Sequence, residues 1–257
     1  MLSTKELSFR YSGQDEHIFT KVSVAVRQGE VLAILGPNGV GKSTFLRCLI
    51  GMEKPRAGQI FLNGQSLNTL TIKEIAKAVA FIAQQQHLVF SFLVRTVIEL
   101  GCSPHLSAFE MPGKTVNATV EAAAERLGIL HLLEKPFDAL SGGEQQLVHI
   151  ASALVQNTGY IILDEPTAHL DFANQSRFLN LIGKLAKDGI GIIFTTHTPE
   201  HAYKTANRIL LLAPGDQHCI GNADEVMTTE NLSQAYQTKI NHHIIDNRHL
   251  FEIGDDR

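Results

Sequence analysis

Nine residues, Gly36-Pro37-Asn38-Gly39-Val40-Gly41-Lys42-Ser43-Thr44, constrain this chain more than any other stretch. They follow Glu30-Val31-Leu32-Ala33-Ile34-Leu35, an apolar run between Gly29 and Gly36 that reads as a buried strand. They precede Phe45-Leu46-Arg47-Cys48-Leu49-Ile50, a helical stretch that stops at Gly51. Strand, glycine-rich turn and helix form the context a phosphate-binding loop requires. Glycines let successive backbone N–H groups close on phosphate oxygens at the positive end of a helix. Lys42 then reaches the β- and γ-phosphates, and the Ser43 hydroxyl is placed to ligate Mg²⁺. The pattern predicts a site for a nucleoside triphosphate.

Upstream, Leu2–Tyr11 and Ile18–Val26 alternate about the polar turn Ser12–Glu16 and read as antiparallel strands. Tyr11 closes the first, where its ring either stacks on a nucleotide base or packs locally. Downstream, Gln59–Gly64 is a short strand ending in an Asn-Gly turn, and Ile72–Val79 is weakly helical. Val79–Ala83 is a core strand that runs into Gln84-Gln85-Gln86, where a glutamine either orients water or metal or is a polar loop residue. From about 87 to 157 the pattern is helical, with good helix formers over Glu121–Leu133. The apolar start of that region, around Phe90–Phe92, fits either core packing or a groove for a partner.

Leu140-Ser141-Gly142-Gly143-Glu144-Gln145-Gln146 opens a helix whose Leu147, Ile150, Ala151 and Leu154 share one face. Ser141 and Glu144 have capping-box spacing, while Gly142 and Gly143 leave N–H groups free for an anion. Tyr160–Leu163 is an apolar strand ending in Asp164-Glu165. Two carboxylates there are costly without a cation, and in a phosphate-loop protein they suit a Mg²⁺ ligand and a base for the attacking water. Gly191–Thr196 is a further buried strand that delivers His197, within reach of a γ-phosphate. Arg208–Leu212 reads as a strand, Asn231–Tyr236 as a helix, and His242–Ile253 as a hairpin about Asp246-Asn247 with His242 and His243 at its surface.

Charge excludes one class of partner. The 22 Lys and Arg nearly balance 26 Asp and Glu, so no nucleic-acid surface is indicated. No run of ~18 apolar residues spans a membrane, and Met1–Glu6 lacks the apolar core of a signal peptide. Cys48, Cys102 and Cys219 form no metal pattern and read as buried thiols.

Taken in order, GPNGVGKST, LSGGEQQ and YIILDEP resemble the ATP-binding-cassette (ABC) ATPases over essentially the whole chain. The resemblance implies an α/β fold: a P-loop NTPase (RecA-like) core with an antiparallel β subdomain and an inserted helical subdomain. The whole chain, 1–257, is one nucleotide-binding domain, with the core at about 1–86 and 158–257 and the helical insert at about 87–157. Tyr11 matches the adenine-stacking aromatic and Gly36–Thr44 the phosphate loop. Gln84 matches the glutamine near Mg²⁺ and water, although the tandem Gln84–Gln86 leaves the register open by one. Ser141, Gly142 and Gly143 match the signature that caps the γ-phosphate of the opposite subunit. Asp164 matches the Mg²⁺ aspartate, Glu165 the general base, His197 the switch histidine, and Ala168-His169-Leu170-Asp171 the loop that crosses the dimer interface. Three positions depart from the pattern: Ala83 for a proline, Leu147 for an arginine and Thr198 for an aspartate. None removes a catalytic group.

The implied partners are a second copy of the chain, membrane permease subunits docked near Gln84 and Phe90–Phe92, and, indirectly, a periplasmic binding protein. The implied setting is the cytoplasmic face of the inner membrane, with ATP and Mg²⁺ as ligands. The cargo is a metal complex (iron siderophore, haem, cobalamin) or an oxyanion such as molybdate. The rivals are an exporter ATPase, a non-transport member acting on DNA or ribosomes, and a small-molecule kinase; the signature disfavours the last.

Overall fold

A computed structural model describes residues 1–13, 15–84, 91–105, 114–168, 170–246 and 248–254. Strands β1 (Leu2–Phe9), β2 (Phe19–Val22), β3 (Ala25–Val26) and β4 (Val31–Leu35) lead into helix α1 (Lys42–Leu49). There follow β5 (Ala57–Leu62), β6 (Gln65–Ser66), α2 (Ile72–Ala78) and β7 (Val79–Ile82), then α3 (Val94–Glu99), α4 (Lys114–Arg126) and α5 (Gly142–Val155). The chain continues through β8 (Tyr160–Leu163), α6 (Phe172–Lys187), β9 (Gly191–Thr196), α7 (Pro199–Thr205), β10 (Arg208–Ala213) and β11 (Gln217–Gly221). It closes with α8 (Ala223–Val226), α9 (Thr229–Tyr236) and the hairpin β12 (Ile240–Ile245) and β13 (Arg248–Ile253).

The central sheet runs β11-β10-β4-β9-β8-β7, parallel from β10 to β7 with β11 antiparallel at one edge. A second, antiparallel sheet runs β2-β1-β5-β6, with β3 also on β1. The central strands are continuous apolar runs because both faces are covered, and their period-2 alternation splits each between two cores. Val31, Ala33 and Leu35 face the core with α6 and α7, whereas Leu32 and Ile34 face the one with the antiparallel sheet and α1. A third core, around Ile98, Ala124 and Val148, holds α3, α4 and α5 together.

Two local expectations shift. The helix expected at Glu121–Leu133 is instead Lys114–Arg126, because Gly128 turns left-handed (φ +71°) and Leu130–Leu132 continue only as a 3₁₀ turn. His242 is not a free surface ring: its Nε2 lies 2.8 Å from His249 Nδ1, and it stacks on Phe251.

His149 on α5 packs edge-on to Phe137, and burial pushes its imidazole down to about 4. The unfolded chain then takes up a proton near 6.5 that the folded chain refuses, so stability is full above that pH and falls between 6.5 and 4. Denaturant titration at pH 5 is expected to show roughly 1–2 kcal/mol less stability from this group than at pH 7.5. His149→Gln should remove that increment; an unchanged pH slope would count against it.

Candidate functional site

The site is assembled at the carboxyl ends of four parallel strands, the place where open α/β sheets bind ligands. β4 turns at Gly36, β7 runs into Gln84, β8 ends at Asp164-Glu165, and β9 delivers His197. The register pairs Ile82 with Leu163, Leu163 with Phe194, and Leu35 with Thr196, which brings these ends level.

The loop after β4 is held by contacts that only glycine permits. A Cβ on Gly36 would lie 2.4 Å from the Leu212 carbonyl oxygen, and one on Gly41 2.2 Å from Ile18 Cγ2. Gly41 is also left-handed (φ +107°) and caps α1, so the first N–H groups of that helix open toward the loop. Lys42, 5% exposed, spends its three donors on the carbonyls of Gly36 (2.8 Å) and Pro37 (3.0 Å) and on Glu165 Oε1 (3.1 Å). A cavity of about 350 Å³ is lined by Asn38, Gly39, Gly41, Lys42, Ser43, Thr44, Gln84 and Glu165. Pro37 and Val40 line, with Asn38 and Gly39, a second cavity of about 250 Å³ on the side of His17 and Ile18. The Tyr11 hydroxyl lies 2.8 Å from Thr44 Oγ1, and its ring meets Phe9 edge-on.

Opposite the loop, Glu165 adopts the left-handed conformation (φ +44°), uncommon for a residue with a side chain. Its carboxylate spans Lys42 and His197, whose Nδ1 is 3.1 Å from Oε2. A carboxylate only accepts, so Nδ1 carries the proton. Asp164 is buried beside it and does not line the cavity.

Three contacts here had no counterpart in the sequence reading. Thr195 joins Asp164 to Glu165 by 2.7 Å bonds. The Tyr236 hydroxyl on α9 donates to the His197 carbonyl (2.7 Å); burial, then the carboxylates of Glu200 and Glu165, push that phenol up. Thr167 Oγ1 lies 3.2 Å from His201 Nδ1. Polar residues in an otherwise apolar strand end were the available signal for Thr195; the other two are long-range pairings that spacing cannot reveal.

Ser141, Gly142 and Gly143 sit elsewhere. Ser141 caps α5 with both halves of the capping box formed: Ser141 Oγ accepts from the Glu144 N–H, and Glu144 Oε2 accepts from the Ser141 N–H. Ser141 and Gly143 line a separate cavity of about 400 Å³ with Asn174 and Arg177, sharing no residue with the one at Lys42. Asp171 is exposed and caps α6 by accepting from the Asn174 N–H (2.8 Å). Phe92 packs on the helical core; Gln85, Gln86, Phe90 and His169 lie outside the described residues.

The ABC transporter family matches residues 19–168. The chain is similar to the iron(3+)-hydroxamate import ATP-binding protein of Bacillus subtilis, 34% identical over 92% of this chain and 87% of that protein. It is likewise similar to the molybdate import ATP-binding protein of Haemophilus influenzae, 33% identical over 91% and 87% of the two. Among solved structures, it resembles an inward-facing conformation of an ABC transporter assigned to the metal-chelate type. The TM-score there is 0.87 at 30% identity, covering 99% of this chain and 98% of that one.

Proposed function

The chain belongs to the ABC transporter family of ATP-binding subunits, and on that premise we propose that two copies hydrolyse ATP between them to drive import of a metal complex or an oxyanion. One observation carries the reading of a shared site. Lys42 and Glu165 face one cavity, while Ser141 and Gly143 face another with no residue in common. In one polypeptide the phosphate-binding and signature groups address different spaces, so a two-fold pair, each copy offering its signature to the other's loop, completes two sites.

In that arrangement Tyr11 stacks on the adenine, and Gly36–Thr44 cradle the phosphates through backbone N–H groups. Lys42 exchanges its carbonyl and carboxylate partners for phosphate oxygens. Glu165 takes a proton from the water as its oxygen attacks the γ-phosphorus, and the bond to ADP breaks. The N–H groups at Gly142 and Gly143 of the partner copy, at the start of a 14-residue helix, stabilise charge on the transferred phosphoryl. With Nδ1 of His197 donating to Glu165, Nε2 donates to that phosphoryl only when the ring is charged.

Hard oxygen donors suit Mg²⁺, and Ser43, Asp164 and Gln84 would hold it. Asp164 fits: Thr195 takes Oδ1, and its other oxygen has no protein donor among the described residues. When bound, the ion neutralises negative charge on the β- and γ-phosphates. Asp171 belongs to the loop that crosses between the copies.

No helix among the described residues is long and apolar enough to cross a membrane; we assign permeation to separate subunits, as in the reading above. They dock near Gln84 and Phe90–Phe92, on the cytoplasmic face, and receive cargo from a periplasmic binding protein. The test is purification of the tagged chain from its own cells. Co-isolation of a multi-span membrane protein, and Mg²⁺-ATP turnover that the paired binding protein raises severalfold, is expected. Isolation with an outward-pumping permease, or with ribosomes or DNA, would replace import with the corresponding rival.

A further inference from the structure

β9 is apolar through Gly191–Phe194 and then places Thr195, with none of its surface exposed, one residue past the Leu163–Phe194 pair. Its hydroxyl has no freedom. The Glu165 N–H can only donate to it (2.7 Å), so the hydroxyl proton must go to Asp164 Oδ1 (2.7 Å). A single oxygen therefore ties the side chain of Asp164 to the main chain of Glu165.

Glu165 needs that tie. Its left-handed conformation (φ +44°) is disfavoured for a residue with a Cβ and persists only where surroundings enforce it. The same conformation carries the carboxylate between Lys42 and His197, 3.1 Å from each. An extended or helical Glu165 would direct its side chain elsewhere. Asp164, in turn, has Oδ1 fixed by that bond, while its other oxygen has no protein donor among the described residues.

We propose that Thr195 is a positioning residue for ATP hydrolysis: its hydroxyl holds Glu165 in the left-handed conformation that aims the carboxylate, and orients Asp164 at the same time. Through that one oxygen the Asp164 carboxylate is linked to the Glu165 N–H, a side-chain tie additional to the peptide bond between the two residues, and this tie is lost when the hydroxyl is lost. The inference rests on the ATPase reading above, and deepens it by naming what sets the geometry of the carboxylate pair.

The experiment compares Thr195→Val, which keeps shape and removes the hydroxyl, with Thr195→Ser, which keeps the hydroxyl. Wild-type turnover is measured first, and its absence would end the ATPase reading. For Thr195→Val, kcat is expected to fall on the order of 10–100-fold, the cost of a charge-assisted bond and an unpaired N–H. Affinity for ATP in EDTA should stay within about twofold, because the phosphate loop is untouched and one such bond is worth more than that. Amide exchange at Glu165 should speed by roughly tenfold or more as its acceptor disappears. Thr195→Ser should match wild type in all three. Wild-type kcat in the Val variant, or equal losses in Val and Ser, would overturn the assignment while leaving the ATPase reading standing. If the Val variant does not fold, a Ser variant with impaired kcat or a fast Glu165 amide overturns it alone.

Discussion

Glu165→Gln is expected to bind ATP at least as tightly as wild type and to turn it over about 10²–10⁴-fold more slowly, the usual worth of a positioned base. The amide keeps the shape of the side chain and, with its φ of +44°, the conformation that Thr195 supports. What it loses is the ability to take a proton. It also loses the charge that competes with phosphate for Lys42, so the ammonium is released to the nucleotide at lower cost. Slow turnover with retained binding should let the closed pair accumulate. Gel filtration with Mg²⁺-ATP is expected to show a dimer that disperses when ATP is replaced by ADP. Undiminished turnover would remove Glu165 from the role of base. A strictly monomeric variant at saturating ATP would argue that each copy works alone. His197 gives an internal check. It donates to Glu165 Oε2, and the Gln amide oxygen accepts the same bond, so the ring need not move.

The sequence made most of this site legible because the residues concerned are local. The loop Gly36–Thr44, the capping box at Ser141 and Glu144, and the pair Asp164-Glu165 each lie on one turn or one strand end, where spacing and residue type suffice. The central strands were readable for the same reason: burial on both faces leaves an unbroken apolar run. What escaped depends on register between distant segments. Thr195 meets Asp164 and Glu165 only because β9 pairs with β8 in parallel with Phe194 opposite Leu163, and one residue of slip would turn the hydroxyl to the other face. Tyr236 reaches His197 from a helix 39 positions away, and His242 finds His249 across a hairpin. Helix ends were also hard to place. Residues after Arg126 are good helix formers, yet Gly128 in the left-handed region overrides them.

Lys42→Ala tests the other half of the cavity, and its two effects separate. Replacing the ammonium removes a charge-assisted contact to the phosphates, and ATP affinity is expected to fall by roughly 10²-fold. Removing it also leaves Glu165, whose side chain is 12% exposed, without its cation and beside the buried Asp164. An uncompensated carboxylate in such a place lowers stability by about 1–3 kcal/mol, less than a fully buried case because some solvent reaches it. The double variant Lys42→Ala/Glu165→Gln removes the orphaned charge. It should recover most of that stability in a thermal melt while ATP binding, followed by calorimetry, stays weak. Recovery of both would mean that Lys42 acts through Glu165 and does not grip the phosphates. Recovery of neither would mean that its bonds to the Gly36 and Pro37 carbonyls shape the loop, and that the ion pair contributes little. The three donors of one ammonium thus give three distinguishable outcomes, and only weak binding with restored stability agrees with a lysine that trades its protein partners for a triphosphate.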